Sequence, residues 1–425
     1  MDSFVINGGS RLRGKVSING SKNASLPIMA ASILTEGETV LQGVPELEDV
    51  RQLSTLLEQL GVTVTRDESR NLRLKVVDEM NCHAEYDIVR KMRASVCVMG
   101  PLLAKRGKAQ VSMPGGCSIG DRPIGLHVQG LEALGCASDL VTGDIQLKAK
   151  RLKGTEMFLG GPFGSTVLGT ANVMMAATLA EGTTVIEMAA CEPEVVALAD
   201  YLNACGARIT GPGTPRVTIE GVRDLHGCEH TVIPDRIEAG TFMIAAAITN
   251  GEIRLPNCRL DHLLAVVDRL RAIGVNIERD GDGVQVSSLR RLEPVTVTTQ
   301  PFPGFPTDLQ AQIMTLLCLA DGNSIITEKI FPDRFLHVAE LGRMGAKLRK
   351  EGPTVIVEGV KQLIGAPVMA SDLRASAALV LAGLVAKGRT KVLRVYHIDR
   401  GYDRIEQRLS TLGADIKRES ESGGQ

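Results

Sequence analysis

The chain has 425 residues, of which 44% are hydrophobic and 23% charged, as in an ordinary soluble protein of two or three domains. Its formal net charge of −1 argues against bulk attraction to nucleic acid or to a membrane surface, and neither partner is expected. The nine cysteines show no C-x-x-C pair and no metal-ligand spacing, so the sequence suggests no metal site and predicts reduced thiols and a cytoplasmic location.

One order of elements recurs along the chain about every 70 residues. Each unit is predicted to contain a short strand (as at 15–18), a helix that is apolar nearly all round (375–382), a strand (183–186), an amphipathic helix (263–270) and a final strand (355–358). A glycine follows each amphipathic helix and is suited to a left-handed stop. These glycines are Gly61, Gly135, Gly206, Gly274, Gly345 and Gly413.

Six units are too many for one core, so the sequence predicts two domains of three units each. The boundaries are 21–231 for the first domain, and 1–20 together with 232–425 for the second. The sixth unit lacks a final strand, and the extended segment at 4–7 is expected to supply it.

Polar and basic residues cluster where each buried helix begins. Ser, Thr, Asp and Asn there are ordinary N-caps, whereas cations oppose the helix dipole and favour an anion nearby. The helix starts are Ser21-Lys22-Asn23, Arg93-Ala94-Ser95, Ser165-Thr166, Asp235-Arg236, Thr307-Asp308 and Asp372-Leu373-Arg374.

A loop rich in glycine and proline holds one cysteine, Cys117, five residues before Arg122. Such a loop exposes its thiol, and a nearby cation favours the thiolate, so Cys117 is a candidate nucleophile or proton donor. The alternative is a surface turn with an incidental cysteine.

Seven short motifs follow one another along the chain. They are Ser21-Lys22-Asn23-Ala24, Lys91-Met92-Arg93-Ala94-Ser95, Pro114-Gly115-Gly116-Cys117, Pro234-Asp235-Arg236-Ile237-Glu238, Phe305-Pro306-Thr307-Asp308, Asp372-Leu373-Arg374-Ala375-Ser376 and Ile398-Asp399-Arg400-Gly401-Tyr402. Through these motifs the chain, from about residue 3 to about residue 417, resembles the enolpyruvyl transferase family, and in particular its UDP-N-acetylglucosamine 1-carboxyvinyltransferases. The resemblance implies an inside-out α/β barrel of six βαβαββ repeats in two three-unit domains, with the active site in the cleft between them.

The resemblance also implies a reaction. The enolpyruvyl group of phosphoenolpyruvate passes to the 3′-hydroxyl of UDP-N-acetylglucosamine and phosphate is released, which is the first committed step of peptidoglycan synthesis and so of cell-wall biogenesis, cell shape and division. The resemblance implies that no metal or other cofactor is needed, and that the thiol is open to epoxides of the fosfomycin type. A monomer or weak homo-oligomer is expected.

Residue roles follow from the same resemblance. Cys117 would protonate the vinyl carbon and Asp308 would act as general base, while Lys22, Arg122 and Arg400 would hold phosphoenolpyruvate. The further substrate-binding positions are Arg93, Arg334 and Arg374 for its charges, Asn23 for the sugar, Arg122, Pro123, Ile124, Gly125 and Leu126 for the uridine, Ser165, Thr166, Val167, Leu168 and Gly169 for a second uridine loop, and Ile330.

The sequence departs from the family pattern at the nucleotide end. Ser165 stands where the family often has a lysine, and Gly125 stands where an aspartate is common. Backbone N–H groups of the glycines at 160–169 are therefore expected to contact the diphosphate instead.

Two alternatives remain. A 3-phosphoshikimate 1-carboxyvinyltransferase would share the fold and phosphoenolpyruvate, but that family does not rely on a cysteine in this loop. A non-catalytic paralogue that binds the nucleotide sugar would be expected to lose Cys117, Asp308 or Arg400, and all three are present.

Overall fold

The structure is a computed structural model that describes residues 2–113, 124–288 and 291–420. The loop with Cys117, Arg122 and Pro123 lies outside these residues. The α-helices are α1 Lys22–Ala31, α2 Glu48–Gln59, α3 Tyr86–Val89, α4 Met99–Arg106, α5 Gly125–Ala133, α6 Val167–Ala177, α7 Pro193–Ala204, α8 Arg236–Ile248, α9 Leu264–Ile273, α10 Gln310–Leu317, α11 Leu336–Arg343, α12 Leu373–Val385 and α13 Ile405–Thr411.

Short strands separate the helices. They are β1 Asp2–Asn7, β2 Arg13–Lys15, β3 Thr35–Glu36, β4 Glu38–Gln42, β5 Val62–Arg66, β6 Leu72–Val76, β7 His83–Ala84, β8 Lys108–Ser112, β9 Ala137–Val141, β10 Asp144–Lys148, β11 Glu156–Phe158, β12 Gly160–Gly161, β13 Gly164–Ser165, β14 Thr183–Glu187, β15 Arg208–Thr210, β16 Arg216–Glu220, β17 Leu225–His226, β18 Glu229–Thr231, β19 Glu252–Pro256, β20 Asn276–Asp280, β21 Gly283–Ser287, β22 Thr296–Thr298, β23 Asn323–Thr327, β24 Lys347–Glu351, β25 Thr354–Glu358, β26 Pro367–Met369, β27 Arg389–Leu393 and β28 Asp415–Ser420.

Six four-stranded sheets share one design. In each, an edge strand runs parallel to its neighbour, and the two strands beyond are antiparallel. This is the sheet of a βαβαββ unit, so the predicted sixfold repeat is confirmed. The strand orders are β18-β4-β6-β5, β7-β8-β10-β9, β11-β14-β16-β15, β2-β19-β21-β20, β22-β23-β25-β24 and β26-β27-β1-β28.

The chain divides into two compact units, one of residues 20–113 and 124–233 (the first unit) and one of residues 2–19, 234–288 and 291–420 (the second unit). Each unit has its own apolar core. Helices α1, α4 and α6 lie in the first core, and α8, α10 and α12 in the second. Because these helices are covered on every side, they carry apolar residues nearly all round, as predicted from the sequence.

Six glycines end the amphipathic helices as expected. All six have φ between +80° and +107°, in the left-handed region where a side chain would be strained. They are the glycines at 61, 135, 206, 274, 345 and 413.

The N-terminal strand completes the sixth sheet. Strand β1 lies between β27 and β28 and is antiparallel to both, the position expected for residues 4–7. Phe4 and Ile6 are fully buried there.

The strand predicted at 15–18 begins and ends earlier in the structure. Residues 13–15 form β2, which pairs with β19 in the second unit. The edge strand beside β4 is β18, from residues 229–231. The sequence favoured a strand near residue 15, but which sheet it joins depends on the segment that lies beside it in space.

Among the described residues, no helix has the length and apolar character needed to cross a bilayer.

Candidate active site

The buried helices begin at the polar residues that the sequence singled out. Arg93 and Thr307 each start a short 3₁₀-helix that leads into α4 or α10. The other four starts are N-caps that accept hydrogen bonds from backbone N–H groups, as the capping alternative predicts. The bonds are Ala24 to Ser21 Oγ, Gly169 to Thr166 Oγ1, Ile237 and Glu238 to Asp235 Oδ1, and Arg374 and Ala375 to Asp372 Oδ1.

Asp308 forms a three-residue cluster with two arginines in the second unit. Arg334 Nη1 donates to Asp308 Oδ1 at 2.9 Å, and Arg374 Nη2 donates to Oδ2 at 2.8 Å. The arginine side chains are 7% and 5% exposed, whereas the Asp308 side chain is 27% exposed. The carboxylate is therefore the open member of the cluster, and it balances two buried cations.

The cluster makes Asp308 a weak base in this state. Burial alone would raise the pKa of its carboxyl, but Arg374 and Arg334 outweigh burial and hold the pKa well below its ordinary value of 3.8. To accept a proton near neutral pH, Asp308 would have to lose part of this stabilisation. Anionic groups of a ligand that draw the two arginines away would have that effect.

A buried tyrosine, Tyr402, contacts the guanidinium of Arg374. Arg374 Nη1 donates to the Tyr402 hydroxyl at 3.3 Å, and the guanidinium lies 5.6 Å from the centre of its ring. Thr241 gives its own proton to the Ile237 carbonyl, so the Tyr402 hydroxyl donates to Thr241 Oγ1 at 2.8 Å. These bonds tie α8 to α12 directly behind the cluster.

Lys22 is the corresponding buried cation of the first unit. Its Nζ lies 3.0 Å from Asp49 Oδ2, and the two side chains are 11% and 4% exposed. A cation at a helix start opposes the helix dipole and was therefore expected to lie near an anion. In this structure protein carboxylates supply that charge, Asp49 for Lys22 and Asp308 for Arg374.

The described part of the first expected uridine segment, residues 124–126, lies beside the second expected segment. Ile124 is buried and directly precedes α5, which begins with Gly125 and Leu126. Ser165 pairs with Gly160 in the β12–β13 hairpin, and Thr166 caps α6. A side chain added at Gly161 would meet Leu126 Cδ1 at 3.0 Å, so hairpin and helix start lie side by side.

One asparagine connects the helices that carry these segments. Asn172, on α6, is fully buried. Its Nδ2 donates to the Val96 carbonyl at 2.9 Å and lies 2.9 Å from His127 Nδ1, while its Oδ1 accepts from Gly100 N–H at 2.8 Å. The bonds join α6 to α5, to α4 and to the 3₁₀-helix that starts at Arg93.

The remaining predicted residues lie at element ends. Asn23 follows Lys22 on α1, and Val167 and Leu168 open α6. Arg400 is half-buried and ends the 3₁₀-helix Val395–Arg400, and Ile330 follows β23. Of the predicted set, the structure joins Asp308, Arg334 and Arg374 by direct hydrogen bonds.

Known proteins that are similar to this chain are enolpyruvyl transferases. The family model described as EPSP synthase (3-phosphoshikimate 1-carboxyvinyltransferase) matches residues 6–409. Proteins named UDP-N-acetylglucosamine 1-carboxyvinyltransferase are similar over nearly the whole chain. That of Methylacidiphilum infernorum is 51% identical over 98% of this chain and 99% of its own length, and that of Nitratidesulfovibrio vulgaris is 52% identical over 99% and 100%.

The chain belongs to the UDP-N-acetylglucosamine 1-carboxyvinyltransferase family of enolpyruvyl transferases. Solved enolpyruvyl transferases share its fold. The enolpyruvyl transferase NikO from Streptomyces tendae matches with a TM-score of 0.88 at 24% identity, covering 98% of each chain. EPSP synthase from Acinetobacter baumannii matches with a TM-score of 0.74 at 18% identity, covering 99% of this chain and all of that one. The predicted enolpyruvyl transferase fold is confirmed.

Several residues that hold the candidate site in place were not predicted from the sequence. Asp49, Asn172 and Thr241 lie in ordinary helical sequence, where a single acidic, amide or hydroxyl residue gives no signal. Tyr402 stood in a recognised motif without a role of its own. Their partners lie far away in sequence, so the contacts appear only once the chain has folded.

Proposed function

We propose that this chain transfers the enolpyruvyl group of phosphoenolpyruvate to the 3′-hydroxyl of UDP-N-acetylglucosamine and releases phosphate. The observation that carries the proposal is the 51–52% identity, over nearly full length, to relatives that bear the name of this activity. The cluster of Asp308 with two arginines supports it, because the reaction needs a base beside groups that bind phosphate and carboxylate.

In this proposal the family resemblance implies a task for each residue. Asp308 takes the proton of the 3′-hydroxyl as its oxygen bonds to C2 of phosphoenolpyruvate, and Cys117 gives a proton to C3. The tetrahedral product then loses phosphate from C2 and a proton from C3, which restores the double bond in the new enol ether. Lys22, Arg122 and Arg400 hold the phosphate and carboxylate, with Arg93, Arg334 and Arg374 as further cations.

Binding of phosphoenolpyruvate would itself make Asp308 a stronger base. When its anionic groups take up hydrogen bonds from Arg334 and Arg374, Asp308 loses part of the stabilisation that lowers its pKa, and its basicity rises. Proton removal would then begin only with both substrates bound.

The nucleotide end is proposed to bind UDP-N-acetylglucosamine through the sequence-predicted positions. Asn23 contacts the sugar, and the segments at 122–126 and 165–169 contact the uridine diphosphate. The hairpin glycines beside Ser165 offer backbone N–H groups where related enzymes often have a lysine.

The cellular setting belongs to the same proposal. A cysteine that donates protons works only as a free thiol, which fits a reducing cytoplasm, and the product would enter peptidoglycan synthesis. We propose a monomer or weak homo-oligomer that uses no cofactor.

One assay tests the proposal against both alternatives. Phosphate release from phosphoenolpyruvate is measured with UDP-N-acetylglucosamine and with shikimate 3-phosphate, side by side. Release with the nucleotide sugar alone is the expected result. Release with shikimate 3-phosphate alone would assign the activity named by the family model, and release with neither would make the chain a binding protein.

A further inference from the structure

Glu328 is a fully buried carboxylate immediately after β23. Four donors converge on its two oxygens. Oε1 accepts from Thr299 Oγ1 at 2.6 Å and from the N–H groups of Ile330 and Phe331 at 2.8 and 3.0 Å, and Oε2 accepts from Thr307 Oγ1 at 2.9 Å.

No cation compensates this charge directly. Among the described residues, no side-chain nitrogen of a lysine, arginine or histidine lies within 4.0 Å of the Glu328 carboxylate. A buried carboxylate is costly unless donors satisfy it, and here hydroxyl and backbone donors do so. The donors come from three separate segments, so the carboxylate binds together the end of β22, the start of the 3₁₀-helix Thr307–Leu309 and the loop after β23.

Thr307 links Glu328 to the cluster of Asp308 with the two arginines. Its Oγ1 donates to Glu328 and accepts from Arg334 Nη1 at 3.0 Å. Because a carboxylate only accepts, it fixes the direction of the Thr307 hydroxyl proton and leaves an oxygen lone pair facing Arg334. The same Nη1 holds Asp308 Oδ1.

Phe331 provides a second connection. Its N–H group is held by Glu328, and its ring lies 5.9 Å from the Arg334 guanidinium. Glu328 thus acts on two groups that contact Arg334, one by hydrogen bond and one by its ring, while staying out of contact with Arg334 itself.

We propose that Glu328 is a positioning residue for enolpyruvyl transfer. Acting through Thr307 and Phe331, it fixes Arg334 against Asp308 and so sets the geometry and basicity of that carboxylate. The inference rests on the proposed function. The competing interpretation is a buried carboxylate that serves folding alone.

The test uses three variants with matched controls. Glu328→Gln keeps the shape but replaces one acceptor oxygen with a donor, Thr307→Val removes the hydroxyl at nearly constant volume, and Thr307→Ser keeps it. The controls are Glu358→Gln and Thr296→Val, at exposed positions of β25 and β22. Steady-state kinetics between pH 4 and 9 and thermal unfolding are recorded for each.

A positioning role predicts a specific set of results. Glu328→Gln and Thr307→Val each lower kcat about 10- to 100-fold, the usual effect of misplacing a group that aligns a reacting centre. The double variant is no slower than the slower single variant, because both changes break one connection. Thr307→Ser and the controls keep near-normal kcat.

The pH profile separates positioning from folding. In wild type the lowered pKa of Asp308 places the acid limb of kcat/KM below the measured range. In Thr307→Val a weaker contact from Arg334 lets this pKa rise, so the acid limb moves to higher pH and kcat/KM falls at the acid end of the range. A purely structural role would lower the unfolding temperature and leave that limb in place.

Each outcome decides the inference. Wild-type kcat in both Glu328→Gln and Thr307→Val would overturn it, as would additive losses without a shift of the acid limb. If Glu328→Gln does not fold, the Thr307 pair decides by the same criteria. An inactive wild-type enzyme would instead refute the proposed function, and this inference with it.

Discussion

Removing the Asp308 carboxylate should destabilise the second unit as well as abolish turnover. Asp308 balances Arg334 and Arg374, whose side chains are 7% and 5% exposed. In Asp308→Asn the shape stays the same, but the charge is lost and an amide N–H group is brought towards an arginine N–H group. Two buried cations are then left without their counter-ion.

The size of the effect follows from this burial. Breaking a buried ion pair by removing one partner costs about 3–5 kcal/mol, because the other charge stays desolvated. The Asp308 side chain is 27% exposed, so water can replace part of the lost contact, and we expect about 2–4 kcal/mol. For a unit of this size that corresponds to a Tm lower by roughly 4–16 °C.

Differential scanning calorimetry measures this loss, and phosphate release, assayed well below the variant's Tm, measures turnover. Asp268→Ala is the matched control, since Asp268 pairs with Arg269 on the exposed face of α9 and should cost less than about 1 kcal/mol. The difference between wild type and Asp308→Asn should be complete at neutral pH. It should shrink only as the pH falls below the ordinary value of 3.8 towards the lowered pKa of Asp308, because protonation then removes the charge.

An unchanged Tm in Asp308→Asn would refute the reasoning, since the arginines would then not depend on this carboxylate. Normal turnover in a folded Asp308→Asn variant would remove Asp308 from the role of base.

Two further predictions concern a buried histidine and the reactive thiol. Burial lowers the pKa of His337 to about 4, so its neutral form is favoured, and stability should fall by about 3 kcal/mol as the pH drops from 6.5 to 4. Denaturant titrations should show this slope reduced in His337→Leu, and an equal slope in both proteins would contradict it. A phosphoenolpyruvate-like epoxide should alkylate Cys117 in the presence of UDP-N-acetylglucosamine, whereas burial keeps Cys97, Cys258 and Cys318 protonated with pKa values of about 12. Intact-mass spectrometry with Cys117→Ser as control should show one adduct in wild type, and an unmodified wild-type mass would refute the assignment.

Much of the fold was predictable because its signals are local. A glycine in the left-handed region, an N-cap and an apolar helix each depend on neighbours within a few residues. The predicted helix stop at Gly274 and the cap at Asp372 appear where expected. Part of the candidate site was predictable for the same reason. Lys22, Arg93 and Arg374 were singled out because they are cations at the starts of helices, where cations oppose the helix dipole.

The sequence alone determined the sixfold repeat, the helices that become buried and the polar residues at their starts. Tertiary structure decided which distant residues meet. It paired Asp308 with Arg334 and Arg374, 26 and 66 positions away, placed β2 beside β19 and β18 beside β4, and buried Glu328 next to Thr307. The physical reason is that strand pairing and charge pairing depend on packing between remote segments, and a burial that lowers or raises a pKa exists only once those segments have closed around the group.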